Sequence, residues 1–418
     1  LKLHNKMNRL IIVGNGFDLA HGLKTKYSDF INWYWDVVRQ KVTGTSSLFF
    51  KDTLCEIRPK YSSYFAPELS RQYDCSKDFI FALQKNSDFS VKISEFLLII
   101  SKSVYSKGWV DIEEEYYSLL KAIANDRSSK YYTNPNLLNT ELSYIKDKLY
   151  EYLITIQDGC NISFINAIKK IFMQAFKWQD ISVRDYNSLY QHLECRMRLS
   201  ESELRNLLSV YDIPAAEKVY ALSEKDLKSC SARERYPDVS KAPTLFLLPE
   251  KIMLLNFNYT NVADKYLREG TFFEIIHIHG CLRNPEKIIF GYGDELDDDY
   301  QNLLKKNDNR YLENVKSIRY LETDNYRKML YFIESAPFQV YIMGHSCGNS
   351  DRTLLNTIFE HQNCVSIKPF YYRKDDRNDD YIQIVQNISR NFKDMTRMRD
   401  RVVNKQYCSP MPQLNDVE

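Results

Sequence analysis

At 418 residues, with 44% apolar and 27% charged residues, the chain is long enough for one large core bearing an insertion, or for two domains. A formal net charge of +2 excludes a global basic field, so electrostatics point to no nucleic-acid partner. The nine cysteines are scattered without a C-x-x-C pair, which excludes a zinc ribbon and fits reduced thiols better than a disulfide frame.

The first element is the run Leu10-Ile11-Ile12-Val13, apolar and largely β-branched, suited to a strand buried on both faces of a parallel sheet. It breaks into Gly14-Asn15-Gly16, after which Phe17 to His21 opens a helix. A glycine turn of this kind lets a ligand sit against bare backbone and aims free N–H groups at an anion, for which a nucleotide pyrophosphate is the natural guest. The spacing of Gly14, Gly16 and Gly22 is G-x-G-x5-G and not the dehydrogenase G-x-G-x-x-G, so an ordinary tight turn between strand and helix is the alternative.

Tyr27 to Gln40 carries apolar residues at helical spacing, with Ser28 as N-cap. Residues 45–241 are expected to form a helical insertion, with amphipathic blocks at Ser87–Tyr105, Ile112–Asn125, Asn136–Ile156, Ile162–Trp178, Tyr186–Met197 and Ser200–Tyr211. Further strands are expected at Ile252–Phe257, Phe273–Ile278, Lys287–Phe290, Phe338–Met343 and Val365–Tyr372, and helices at Asp351–Glu360 and Asp379–Phe392. Asp294–Tyr300 reads as a solvated acidic loop, without partner ligands at metal-binding spacing. Residues 396–418 read as a polar C-terminal tail, expected to be weakly ordered from about Asp400 onward. No signal-peptide h-region opens the chain, and no apolar run approaches the ~18–20 residues of a membrane span, so a cytoplasmic location without a membrane partner is expected.

Strands separated by helices, each ending in a turn motif, specify an α/β fold with a doubly wound, Rossmann-like parallel sheet, in which ligands bind at the carboxyl ends of the strands. Residues 7–40 and 242–395 are expected to build this core around the insertion. Three later strand ends are polar: Asn256–Thr260 (NFNYT), His277–Gly280 (HIHG) and Gly344–Asp351 (GHSCGNSD). Strand alternation places His277 and His279 on one side, and Gly280 marks the strand's end, so His279 is the candidate general acid or base. Asn258 can hold a ribose hydroxyl or position a water with its amide, or simply cap a turn. A metal site on HIHG lacks a third ligand at recognisable spacing. Gly344, Ser346 and Gly348 have the G-x-S-x-G spacing of a nucleophile elbow, which makes a serine hydrolase using Ser346 a rival, although only His361 follows the serine.

Together these motifs resemble the bacteriophage abortive-infection AbiH family, whose members open with a VGNGFDLAHGL-type motif as Val13–Leu23 does; the resemblance extends to Trp109–Glu113 (WVDIE), NFNYT, HIHG and GHSCGNSD. More distantly the chain resembles the sirtuin-like NAD-binding fold: Gly14, Gly16 and Gly22 match its glycine turn, Asn258 its catalytic Asn, His279-Gly280 its catalytic H-G, and Gly344-His345-Ser346 its terminal G-x-S turn. The four-cysteine zinc module of sirtuins is absent, which argues against protein deacetylation. The resemblance implies NAD as substrate and an NAD glycohydrolase activity in phage defence, with Asn258 and His279 catalytic. Gly14, Asn15, Gly16, Phe17, Asp18, His21, Gly22, Gly344, His345, Ser346 and Asp351 would bind the dinucleotide, Gly14–Asp18 on its pyrophosphate and Ser346 on its adenosine side. A non-catalytic module sensing a nucleotide or a phage protein is the other reading. A phage-derived trigger is an expected partner, and the apolar helix faces of the insertion are suited to a homo-oligomer of unspecified symmetry.

Overall fold

The computed structural model describes residues 6–43, 49–60, 79, 85, 89–125, 131–211, 230–267 and 272–414. Its strands are β1 (Asn8–Val13), β2 (Phe50–Lys51), β3 (Cys55–Pro59), β4 (Phe89–Ile93), β5 (Ile252–Asn256), β6 (Phe273–His277), β7 (Phe338–Met343) and β8 (Cys364–Phe370). The chain divides into two compact units, one comprising Leu1–Leu23, Ile162–Ile288 and Tyr320–Glu418, the other Lys24–Asn161 and Ile289–Arg319.

The first unit is built on a five-stranded sheet in the order β6-β5-β1-β7-β8, with every pairing parallel. Every residue of β1, β5, β7 and β8 is buried, as expected of strands covered on both faces. The helix Asn325–Ser335 packs on β6, while the helices Arg352–Phe359, Tyr381–Arg390 and Met395–Arg401 pack on β8. From β1 the strand order runs outward through β5 and β6, then resumes on the other side with β7 and β8, so the direction reverses beside β1.

Three expectations need correction here. Residues 396–414 are ordered: Val403 N–H bonds to Ile367 O at 2.9 Å and Met411 N–H to Tyr371 O at 2.8 Å, so this segment satisfies main-chain groups on the outer edge of β8 that would otherwise be open. The expected strand Lys287–Phe290 is instead a 3-10 turn, Pro285–Lys287, followed by irregular chain. The expected boundary at 241 is not where the contacts divide, because Ile162–Ile288 forms part of the sheet unit. There the helices Tyr186–Met197 and Glu201–Val210 bury Leu189, Leu193, Leu204 and Leu208 against Phe246 and Val365 in one cluster.

The second unit is mainly helical, with helices Tyr27–Thr43, Glu95–Lys107, Ile112–Ala124 and Pro135–Gly159. It is not wholly helical: β2, β3 and β4 form an antiparallel sheet, and the block expected as one helix from Ser87 splits into β4 and the helix capped by Ser94, whose side chain accepts from Leu97 N. Ser28 lies inside its helix rather than capping it, since that helix begins at Tyr27. Residues 212–229 of the expected insertion lie outside the described residues. In the WVDIE segment, Asp111 caps the helix Ile112–Ala124 and Glu113 is buried, accepting from Lys316 Nζ at 2.8 Å and Gly291 N at 3.0 Å. Asp297, in the acidic loop, caps the helix Asp298–Lys305 and pairs with Lys121 at 3.2 Å.

Candidate functional site

Strand register sets the site. Met343, Val13, Asn256 and His277 form one rung across β7, β1, β5 and β6 at the carboxyl end of the sheet. The polar motifs therefore begin side by side, on that rung or one residue beyond it, although they lie far apart in the chain.

The glycines join two of these ends. Gly344 has φ +73°, and a Cβ there would stand 2.1 Å from Phe17 N; a Cβ on Gly16 would stand 2.8 Å from Gly344 Cα. The turn after β1 is thus pressed backbone to backbone against the turn after β7. This contact uses the amides expected to cradle a phosphate: Gly14 N–H donates to Met343 O, Gly16 N–H to Gly344 O and Phe17 N–H to Gly14 O. The glycine turn serves close packing of two loops, and its N–H groups at 14, 16 and 17 are already engaged.

Asn258 is held on the same turn. Its Nδ2 donates to Gly14 O at 2.9 Å and to Asp18 Oδ1 at 2.8 Å, which uses both amide hydrogens and leaves Oδ1 as the acceptor end of the amide. Asp18 is 2% exposed and also accepts from Thr260 Oγ1 at 2.5 Å. Burial pushes its carboxyl up to about 7 against the opposing pull of the Thr260 and Asn258 hydrogen bonds. Asp18 therefore faces inward and orients Asn258; its side chain is not directed at a phosphate.

His279 lies in the turn after β6, not within the strand, and so does not share a face with His277. His277 instead bonds Asp264 Oδ1 at 3.0 Å and Asn256 Nδ2 at 3.2 Å. Nε2 of His279 lies 3.2 Å from Asp351 Oδ1 and 3.1 Å from Tyr320 OH. The other carboxylate oxygen, Oδ2, lies 3.4 Å from His345 Nε2. The Phe257 ring packs edge-on against both imidazoles, with centroid separations of 5.1 and 4.3 Å. Asp351 thus joins the end of β6 to the turn after β7, and Gly14, which packs on His345, joins both to Asn258.

Two expected site residues stand apart. His21 is buried among Phe17 and Tyr266, bonding Phe17 O and Tyr266 OH at 2.7 Å each, and burial lowers its pKa; Gly22, φ +83°, turns the chain out of the helix Asn15–Ala20. Asn15 and Ser346 are exposed, one on each of the two interlocked turns. Asp351 is the N-cap residue of the helix Arg352–Phe359 without a side-chain cap bond. The residues that sequence reasoning missed are Thr260, legible as the last letter of NFNYT, and Tyr320, which carries no local signal.

The nucleophile-elbow geometry does not assemble. His361 bonds Glu334 and lies beside Phe338, the first residue of β7, whereas Ser346 follows the last, so the length of a six-residue strand, roughly 20 Å, separates them. The buried Cys347 nearby has φ +55°, and burial, with the Asp351 charge, pushes its thiol up and out of reactive range. Among the described residues no group of three or more His, Cys, Asp or Glu side chains is arranged to hold a metal ion, and no helix is long and apolar enough to cross a membrane.

No curated protein and no solved structure matches the chain. A family model does: bacteriophage abortive infection AbiH matches residues 10–372, from β1 to just beyond β8, and so spans every motif of the site. The chain belongs to the bacteriophage abortive-infection AbiH family.

Proposed function

We propose that this AbiH protein is an NAD glycohydrolase acting in abortive infection, built on a doubly wound, sirtuin-like sheet. The observation that carries the reading is the meeting of Asn258, the Gly14–Asp18 turn, His279 and the His345–Asp351 segment at one carboxyl edge, beside the point where the strand order reverses. Cleavage of the nicotinamide–ribose bond puts positive charge on the ribose and releases nicotinamide as a neutral base that needs no proton. Water must then be held against the ribose and deprotonated. The Oδ1 of Asn258 accepts a hydrogen from that water or from a ribose hydroxyl, and His279 takes the proton as oxygen bonds to C1′ of the ribose. With the amides at 14, 16 and 17 engaged, contact to the phosphates and adenosine falls to the exposed Asn15 and Ser346.

Nicotinamide release from NAD by the purified chain, followed chromatographically, tests this reading. His279→Ala should lower turnover by ~10²–10⁴-fold without loss of the fold, and cleavage retained in that variant would reject the assignment.

A further inference from the structure

Two imidazoles share Asp351, and the hydrogen bonds distinguish them. His345 Nδ1 accepts the main-chain N–H of Cys347 at 3.0 Å, so that nitrogen carries no proton. The single hydrogen of the neutral ring is then on Nε2, directed at Asp351 Oδ2. Protonating His345 would set one N–H against another. The fixture is rigid: Cys347 is held in the left-handed region, and its carbonyl accepts from the buried Asn391 Nδ2 at 3.0 Å. On the other side, His279 Nε2 has the Asp351 carboxylate and the Tyr320 hydroxyl within 3.2 Å, so a bare nitrogen there would oppose carboxylate lone pairs. Asp351 and Tyr320 are titratable groups placed against His279, and His345 reaches it through Asp351.

We propose that Asp351 is a positioning residue that balances the charge arising on His279, and that His345, held by the Cys347 amide with its N–H on Nε2, keeps Asp351 in place and does not touch the dinucleotide. The catalytic part of this inference rests on the glycohydrolase reading; the proton assignments do not. An opposite charge at this distance raises an imidazole's pKa by about 1–3 units.

The test uses the full chain and two measurements. Ring-nitrogen signals of His279 and His345, assigned by their loss in His279→Gln and His345→Gln, are recorded by NMR, and NAD cleavage is measured across a range of pH. The ring-nitrogen shifts of His345 should be those of an Nε2–H tautomer with a bare Nδ1, and Asp351→Asn should move the acid limb of NAD cleavage, set by His279 as base, to lower pH. The same variant should lower kcat by roughly tenfold or more with KM nearly unchanged, since one unit is tenfold in proton affinity. His345→Gln, whose amide can still donate to Asp351, should retain most turnover, whereas His345→Leu should behave like Asp351→Asn.

An Nδ1–H tautomer of His345, an acid limb unmoved in Asp351→Asn, or a rise in KM at constant kcat would each overturn the proposal. If the wild type cleaves no NAD, the glycohydrolase reading fails, and the ring-nitrogen spectra still decide the proton assignments. If Asp351→Asn does not fold, the comparison of His345→Gln with His345→Leu decides between a hydrogen-bonding and a merely space-filling ring.

Discussion

Replacing Asp18 by Asn tests the electrostatics of the site through folding stability. Burial carries the Asp18 carboxyl from 3.8 up to about 7. Between those values the folded chain keeps a proton that the unfolded chain has released, so the stability this group confers is full below the unfolded value and is lost as pH rises through the folded one. An interval of about 3 units, at about 1.4 kcal/mol each, amounts to on the order of 4 kcal/mol. The amide of Asp18→Asn cannot ionise, yet it can accept from Asn258 and donate to Thr260, so the shape and hydrogen bonds of the clamp persist. Relative to wild type, the variant should therefore gain on the order of 4 kcal/mol between about pH 4 and about pH 8. Urea unfolding of both proteins at the two pH values measures this gain. A difference between variant and wild type that is the same at both would refute the burial argument.

Other perturbations separate packing from chemistry. Gly344→Ala puts a methyl group 2.1 Å from Phe17 N at a positive φ, and should cost more than the ~1–2 kcal/mol of the left-handed backbone alone, read as a lower denaturation midpoint; an unshifted midpoint would deny the interlock of the two turns. Burial holds His192 neutral, well below its ordinary 6.5, with Nδ1 accepting Met7 N–H. Its folded pKa is depressed, so stability present above about 6.5 is lost as pH falls, and His192→Gln should flatten that acid-side loss in pH-dependent melting; an unchanged slope would count against it. In the helical unit, Glu113→Leu alone should cost ~3–5 kcal/mol by removing the carboxylate set against the buried Lys316 Nζ, and Glu113→Leu with Lys316→Met should cost less than the sum of those two single changes, measured in a double-mutant cycle; strict additivity would show that the pair is uncoupled.

Much of the sheet was legible because a strand buried on both faces has to be a short apolar run, and Leu10–Val13, Ile252–Leu255 and Val340–Met343 are such runs, each followed directly by glycine or polar residues. The positions of Asn258 and His279 at a carboxyl edge follow from that local pattern alone. Strand order, register and hydrogen-bond partners are long-range properties on which the periodicity of side chains is silent. Folding therefore decided that Gly14 and Gly16 bond Met343 and Gly344 instead of leaving their amides free, and that Asp18 turns inward to Asn258 and Thr260, some 240 residues away in the chain. Folding also decided that the polar residues 396–414 close the edge of β8, where main-chain pairing compensates for a sequence with little apolar surface to bury. Arg9 shows the same division: its charge suggests a strand's solvated start, yet it is fully buried over the Tyr341 ring, donating to Phe172 O, Gln174 O and Gln339 Oε1. A buried cation is tolerated where acceptors converge, and only the tertiary structure brings those acceptors together.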